Sequence, residues 1–363
     1  MRISLVGPAH PYKGGGARHT TELARELAVR GHTVAIESWR AQYPERLYPG
    51  RQTVDAPEGE LFGDTRRHLS WNRPLGWWRT GRRAGAEADL VVVTVLIPAQ
   101  AVPYLGILAG VGARARTLAL CHNVLPHERR PGDTALMRML LRRVDAVLAH
   151  SPEQARLVRG LVGDGASARW APLPPHLPRA QGADAPPAEG GTRRNLLFFG
   201  IVRPYKGVDV LLRAFARGAP ADVGLTVAGE FWGGSQRLRD LARELGVADR
   251  VVFREGYVPA AQLPGLFAGA DALVLPYRSA TATQNVYLAH EHGLPAIATR
   301  AGGLADQVTD GVDGLLCEPG DADDLTCALR RFYTGDTAER LRAAVRPVDP
   351  APHWDAYIEA LTG

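Results

Sequence analysis

At 363 residues the chain exceeds what one hydrophobic core normally serves, so two domains are expected, and its 45% hydrophobic content is that of an ordinary globular protein. Its three cysteines, Cys121, Cys317 and Cys327, are not spaced as a metal pair, the first residues are too short and too early for a signal peptide, and no run approaches the ~20 apolar residues of a membrane span. These features point to a reduced, cytoplasmic protein that at most rests on a membrane surface. The net charge of +5 is unevenly shared: residues 1–175 hold 24 Lys plus Arg against 15 Asp plus Glu, whereas residues 176–363 hold 19 against 23. The first half is therefore expected to meet something anionic.

Strand-like runs are expected at Ile3–Val6, Thr33–Glu37, Leu90–Leu96, Thr117–Cys121 and Val144–Ala149, separated by helical patterns such as Ala17–Arg30. A stretch rich in helix breakers, 175–193, divides the chain. Beyond it, runs at Asn195–Phe199, Gly224–Ala228, Arg250–Phe253, Ala272–Leu275 and Ala296–Ala298 again alternate with helices. Two successive β/α alternations imply an α/β protein of two doubly wound parallel sheets facing one cleft. The expected domains are 1–175, 194–345 and a terminal helix, 346–363, returning to the first domain.

The most informative segment runs from Phe199 to Asp209. Arg203 and Lys206 fall on a strand-to-helix loop, at the carboxyl edge where open α/β sheets bind ligands. Arg offers a planar fork to phosphate oxygens and Lys a mobile point charge, which suits a diphosphate; solvated loop cations are the plain alternative. A second anion-binding element follows the strand ending at Leu275. There Thr281 and Thr283 precede a helix expected from about Gln284 to Gly293, and the amides of Gln284 and Asn285 join their hydroxyls in a cradle. Taken alone this is equally an ordinary N-cap; paired with Arg203 and Lys206 it reads as a diphosphate site.

Lys13-Gly14-Gly15-Gly16, Cys121-His122-Asn123, the Arg203/Lys206 loop, Gly256-Tyr257-Val258, Gly293 to Thr299, Gly302-Gly303 and Asp310 to Gly314 occur in the order of the retaining glycosyltransferases of the GT-B fold. The chain resembles glycosyltransferase family 4, the glycogen-synthase and mannosyltransferase-like group, from residue 1 to about residue 335. By that resemblance the first domain receives the acceptor and the second binds a nucleoside diphosphate sugar. Gly15 and Gly16 let backbone approach donor phosphates and acceptor, His122 lies close to the transferred sugar, and Tyr257 and Val258 belong to the donor site. The family's two glutamates, separated by seven residues, fall on Ala280 and Leu288; Glu291, three residues on, is a candidate stand-in on the same helix face.

The implied reaction transfers a glycosyl group with retention of anomeric configuration and needs no cofactor or metal, because two cations and a helix start take the place of Mg²⁺. A sugar-nucleotide epimerase of the same fold, a phosphorylase or a non-catalytic sugar-nucleotide-binding protein would share these features. A dinucleotide site built on Gly14–Gly16 with Glu37 as ribose acid fits poorly, since residues 7–13 separate strand from glycines and the third position is His19. Arg66, Arg67, Trp71, Arg73, Trp77, Trp78, Arg79, Arg82 and Arg83 interleave cations with aromatics, the composition of an interfacial membrane contact or of an ordinary packed helix. An anionic or lipid-linked acceptor is expected, and no nucleic acid, because no binding motif accompanies the charge. His19, His127 and His150 are weaker candidates than His122.

Overall fold

The computed structural model describes residues 1–42, 52–54, 61–163, 167–177 and 194–363, and every statement below concerns these. The segment read as the divide lies outside them from residue 178 to 193. The chain forms two compact units: Met1–His176 together with Pro350–Gly363, and Leu177–Asp349.

In the first unit the strands are β1 (Arg2–Val6), β2 (Thr33–Ala41), β3 (Thr65–Ser70), β4 (Leu90–Val95), β5 (Arg116–Cys121), β6 (Ala146–Ala149) and β7 (Ser167–Trp170). They make one parallel sheet in the order β3-β2-β1-β4-β5-β6-β7. Its helices are α1 (Gly15–Val29), α2 (Pro74–Glu87), α3 (Ala101–Val111), α4 (Asp133–Leu141) and α5 (Pro152–Val162). Successive side chains of a strand point to opposite faces, and β4 displays this directly. Val91, Val93 and Val95 join one core with Trp77, Tyr104, Ile107 and Met137, while Leu90 and Val92 join another with Leu23, Leu27, Trp354 and Tyr357. Helices α2 and α3 meet through glycines; a Cβ on Gly81 would lie 1.9 Å from the Ile107 carbonyl oxygen.

The second unit contains β8 (Asn195–Phe199), β9 (Gly224–Gly229), β10 (Val251–Glu255), β11 (Ala272–Leu275), β12 (Ala296–Thr299) and β13 (Gly314–Cys317), parallel in the order β10-β9-β8-β11-β12-β13. Its helices are α6 (Val208–Gly218), α7 (Gln236–Glu244), α8 (Leu263–Ala268), α9 (Asn285–Glu291), α10 (Ala322–Phe332) and α11 (Thr337–Ala344), and α12 (Pro350–Thr362) belongs to the first unit. The strand order reverses between β1 and β4 in the first sheet and between β8 and β11 in the second. In such sheets that switch point is where ligands bind. No described helix is long and apolar enough to cross a membrane.

Two expectations need correction. Glu37 does not end β2: the strand continues to Ala41, and the Glu37 carboxylate is buried against Arg83 at 2.5 Å and Arg66 at 3.3 Å. The Arg/Trp segment is not one helix, because Arg66 and Arg67 lie in β3 and only Pro74–Glu87 is helical. Within it Trp77 is buried with its indole N–H donating to the Ser70 carbonyl at 2.7 Å, whereas Trp71 and Trp78 stay exposed.

Candidate active site

The Arg203/Lys206 loop follows β8 and the threonine-rich loop follows β11, so adjacent strands at the switch point of the second sheet deliver both. Gly207 lets them approach. Its φ is +68°, and a Cβ there would meet the Pro276 carbonyl oxygen at 1.9 Å. Arg278 then ties the loops together: its backbone N–H donates to the Tyr205 carbonyl at 2.8 Å, and its guanidinium donates to the Pro204 carbonyl at 2.7 Å. The same guanidinium grips Asp209 with a fork of 2.8 and 2.7 Å. Burial raises the Asp209 carboxyl most strongly of the single causes, but the hydrogen bonds and charge of Arg278 together with the backbone N–H groups of Asp209 and Val210 hold the group below the usual range. Neither Arg278 nor Asp209 stands out in the sequence, since each is one more loop charge until the loops are seen to touch.

Lys206 is half-buried, and its Nζ lies 3.5 Å from the centroid of the Tyr277 ring and 5.1 Å from that of Tyr205. No described carboxylate pairs with it. Burial, then the nearby Arg203 charge, push its pKa down to about 7. The Arg203 guanidinium lies over Trp232 at 5.0 Å and Tyr205 at 5.7 Å. Trp232 reaches it because the chain after β9 pairs with Val202, which donates to Glu230 at 2.8 Å and accepts from Trp232 at 3.1 Å. A signal for Lys206 was present in the sequence: of 43 basic residues only Lys13 and Lys206 are lysines. Either cation can lie on a ring, but a desolvated ammonium can lose its proton and a guanidinium does not.

Thr281 and Thr283 are buried, and the Thr283 hydroxyl accepts from the Asn285 backbone N–H at 3.2 Å, as a local cap does. The Asn285 amide donates to the Phe199 carbonyl at 2.7 Å and to the Tyr277 hydroxyl at 3.2 Å, binding the end of β8 to α9. Gln284 is half-buried at the N-cap of α9, which ends at Glu291 rather than Gly293. Leu288 is buried in the core, and Glu291, three residues on at the end of α9, is exposed. Tyr257 and Val258 follow β10, half-buried, with Val258 packed on the core.

The remaining candidates lie in the first unit. Gly15 and Gly16 open α1, and nothing lies within 4 Å of a Cβ on Gly15, so backbone is approachable there. His122 follows β5, its backbone N–H donating to the Val95 carbonyl at 3.0 Å and its Nε2 buried without a partner among the described residues. It belongs to a cluster: His19 stands 5.1 Å from it ring to ring, His150 4.9 Å, and His176 5.2 Å from His19. Tyr357 of α12 contacts His19 at 3.0 Å. Burial pushes His122 down to about 4 and His176 to about 3, and lowers His19 and His150 as well. All four are neutral at pH 7. The sequence ranks His19 and His150 only as weaker candidates than His122, and the core that the three share was not visible in it.

Two family models match the chain: "Glycosyltransferase Family 4" over residues 13–170 and "Glycosyl transferases group 1" over 193–335. The D-inositol 3-phosphate glycosyltransferase of Nocardiopsis dassonvillei is 30% identical over 96% of this chain and 88% of its own length. The GDP-mannose-dependent alpha-(1-6)-phosphatidylinositol monomannoside mannosyltransferase of Mycolicibacterium smegmatis is 32% identical over 96% of this chain and 92% of its own. Among solved structures, Anabaena HepE in complex with UDP-glucose aligns with a TM-score of 0.72 at 16% identity, over 99% of both chains. Both sheets, the ordered loops on their carboxyl edges and relatives matched over nearly their whole length agree: the chain belongs to glycosyltransferase family 4 and is a glycosyltransferase of the GT-B fold.

Proposed function

We propose that the protein transfers a glycosyl group from a nucleoside diphosphate sugar, with retention of configuration and without a divalent metal. The observation that carries this reading is Lys206, a half-buried cation facing aromatic rings, with no described carboxylate partner, beside Arg203 at the switch point of the second sheet. A desolvated cation without a counter-ion is costly unless a ligand supplies one, and a diphosphate does.

As the bond between the anomeric carbon and the diphosphate breaks, negative charge grows on the leaving β-phosphate. Arg203 and Lys206 neutralise it from fixed positions, the electrostatic contribution that usually dominates such transfers and the one a metal would otherwise make. The acceptor oxygen bonds to the same face of the sugar, and its proton passes to a leaving phosphate oxygen. Neutral His122 serves as a hydrogen-bonding group for the transferred sugar, and the backbone of Gly15 and Gly16 meets phosphate oxygens. Thr281 and Gln284 take hydroxyls that the absent glutamates at 280 and 288 would have held, while Thr283 and Asn285 hold the loop in shape. Tyr257 and Val258 line the donor side.

The relatives named for inositol 3-phosphate and phosphatidylinositol monomannoside support an anionic or lipid-linked acceptor for this chain. Exposed Trp71, Leu75 and Trp78 beside exposed Arg73, Arg79 and Arg82 support peripheral membrane contact. Incubation with labelled sugar nucleotides tests the reaction class: free nucleoside diphosphate without epimerised donor is expected. Epimer formation, or tight binding without any turnover, would contradict it.

A further inference from the structure

Arg40, Ala41, Arg67, His68, Ser70, Asn72 and Arg73 line a cavity of ≈ 420 Å³ in the first unit. The cavity sits at the carboxyl end of the two outermost strands, where Ala41 of β2 pairs with Ser70 of β3. Three arginines and a histidine face it, and among the described residues no acidic one does. The surrounding fold neutralises arginines elsewhere: Arg66 has Glu37, Asp64 and Glu87, and Arg83 has Glu37. Arg40, Arg67 and Arg73 have no ion pair among the described residues. Arg67 donates to the His10 carbonyl at 2.8 Å, yet its Nε is buried with no acceptor among the described residues. Arg73 is in addition the N-cap of α2, a 14-residue helix without a side-chain cap, so a positive helix end adjoins the cavity.

We propose that this cavity binds a phosphate ester group carried by the acceptor, an inference that rests on the transferase reading above. Converging guanidinium forks match phosphate oxygens, and the buried Arg67 Nε gains the acceptor it lacks. The volume lies in the range of small-molecule sites and leaves room for a ring beside the phosphate. It also stands at a carboxyl edge of the sheet, on the same rim as Gly15 and His122.

Calorimetric titration of the full chain at low salt with myo-inositol 1-phosphate and with myo-inositol tests a free phosphate ester; sedimentation with phosphatidylinositol vesicles tests a lipid headgroup. In one arm or the other, Arg40→Gln and Arg73→Gln, both exposed and remote from the core, should each weaken binding at least tenfold. Arg142→Gln, an exposed cation just after α4 that lies outside both the cavity and the Trp71–Arg82 surface, should leave it unchanged. Loss confined to the soluble ester identifies a free acceptor, and loss confined to vesicles identifies a headgroup. Equal binding of inositol and its phosphate together with unaltered vesicle binding in both variants overturns the proposal, as does an equal loss in Arg142→Gln. Thermal stabilisation by nucleoside diphosphates, measured on the same proteins, should stay as in the wild type. Its absence even in the wild type would remove the donor reading, whereas its persistence with unaffected ester binding would remove this inference alone.

Discussion

The Lys206 ammonium rests 3.5 Å from the centre of the Tyr277 ring, a face-on contact between a titratable cation and an aromatic residue whose hydroxyl and carbonyl are both held. Asn285 donates to that hydroxyl at 3.2 Å and Thr299 to that carbonyl at 2.6 Å. Tyr277 is therefore a positioning residue: it fixes the cation without neutralising it, as a carboxylate would. A desolvated cation–π contact contributes about 2 kcal/mol, or roughly 30-fold in an equilibrium. Tyr277→Leu should weaken binding of a nucleoside diphosphate by about that factor. Tyr277→Phe, which keeps the ring, should lose only a few-fold. Equal effects of the two changes would argue that the hydroxyl, not the ring face, is what matters.

Lys206 also gives the site a pH dependence. Its pKa of about 7 means that the ammonium is present below that pH and is lost as pH rises through it. Donor kcat/KM should then fall about tenfold per pH unit above pH 7, reporting the free enzyme. Diphosphate binding at pH 8 should take up close to one proton, visible as a buffer-dependent enthalpy. Lys206→Arg should abolish this alkaline limb, because a guanidinium keeps its charge. A wild-type profile flat from pH 6 to 9 would contradict the assignment.

Most of the fold was legible because buried parallel strands read as apolar runs. The strands that were not expected, β3, β7 and β13, all lie at sheet edges, where one side is solvated and the sequence need not be apolar. Thr65–Ser70 carries two arginines and a histidine, and Gly314–Cys317 is four residues long. Within the site, Arg203 and Lys206 were visible from the loop itself. Arg278, Tyr277 and Trp232 were not, since their roles arise from loops on neighbouring strands. The histidine cluster was the least legible feature: His19 and Tyr357 meet across 338 positions of sequence.

That cluster makes stability depend on acid. Histidine in the unfolded chain titrates near pH 6.5, whereas burial holds His122 at about 4 and His176 at about 3. Between these values the unfolded state binds more protons, so stability falls as pH drops below about 6.5. Each such group contributes about 1.4 kcal/mol per pH unit within the window. Urea midpoints at pH 7 and pH 5 should differ accordingly, and replacing His122 by Asn should reduce the difference. Identical midpoints at both pH values would show that the cluster does not stay neutral in the fold.

With arginine and lysine serving the diphosphate, transfer should survive EDTA, unlike chemistry that places the phosphates on a divalent ion. Assays with and without chelator check this directly. Complete loss restored by Mg²⁺ or Mn²⁺ would overturn the metal-free mechanism.

The central claim is that Arg203 and Lys206 hold the leaving diphosphate, and its most direct measurement is donor turnover by Arg203→Ala and Lys206→Ala against the wild type, with folding checked by circular dichroism. Loss of one charge-stabilising donor costs about 100-fold in turnover, so each variant is expected to be slower by that factor or more while remaining folded. Near-normal turnover in both folded variants would contradict the account.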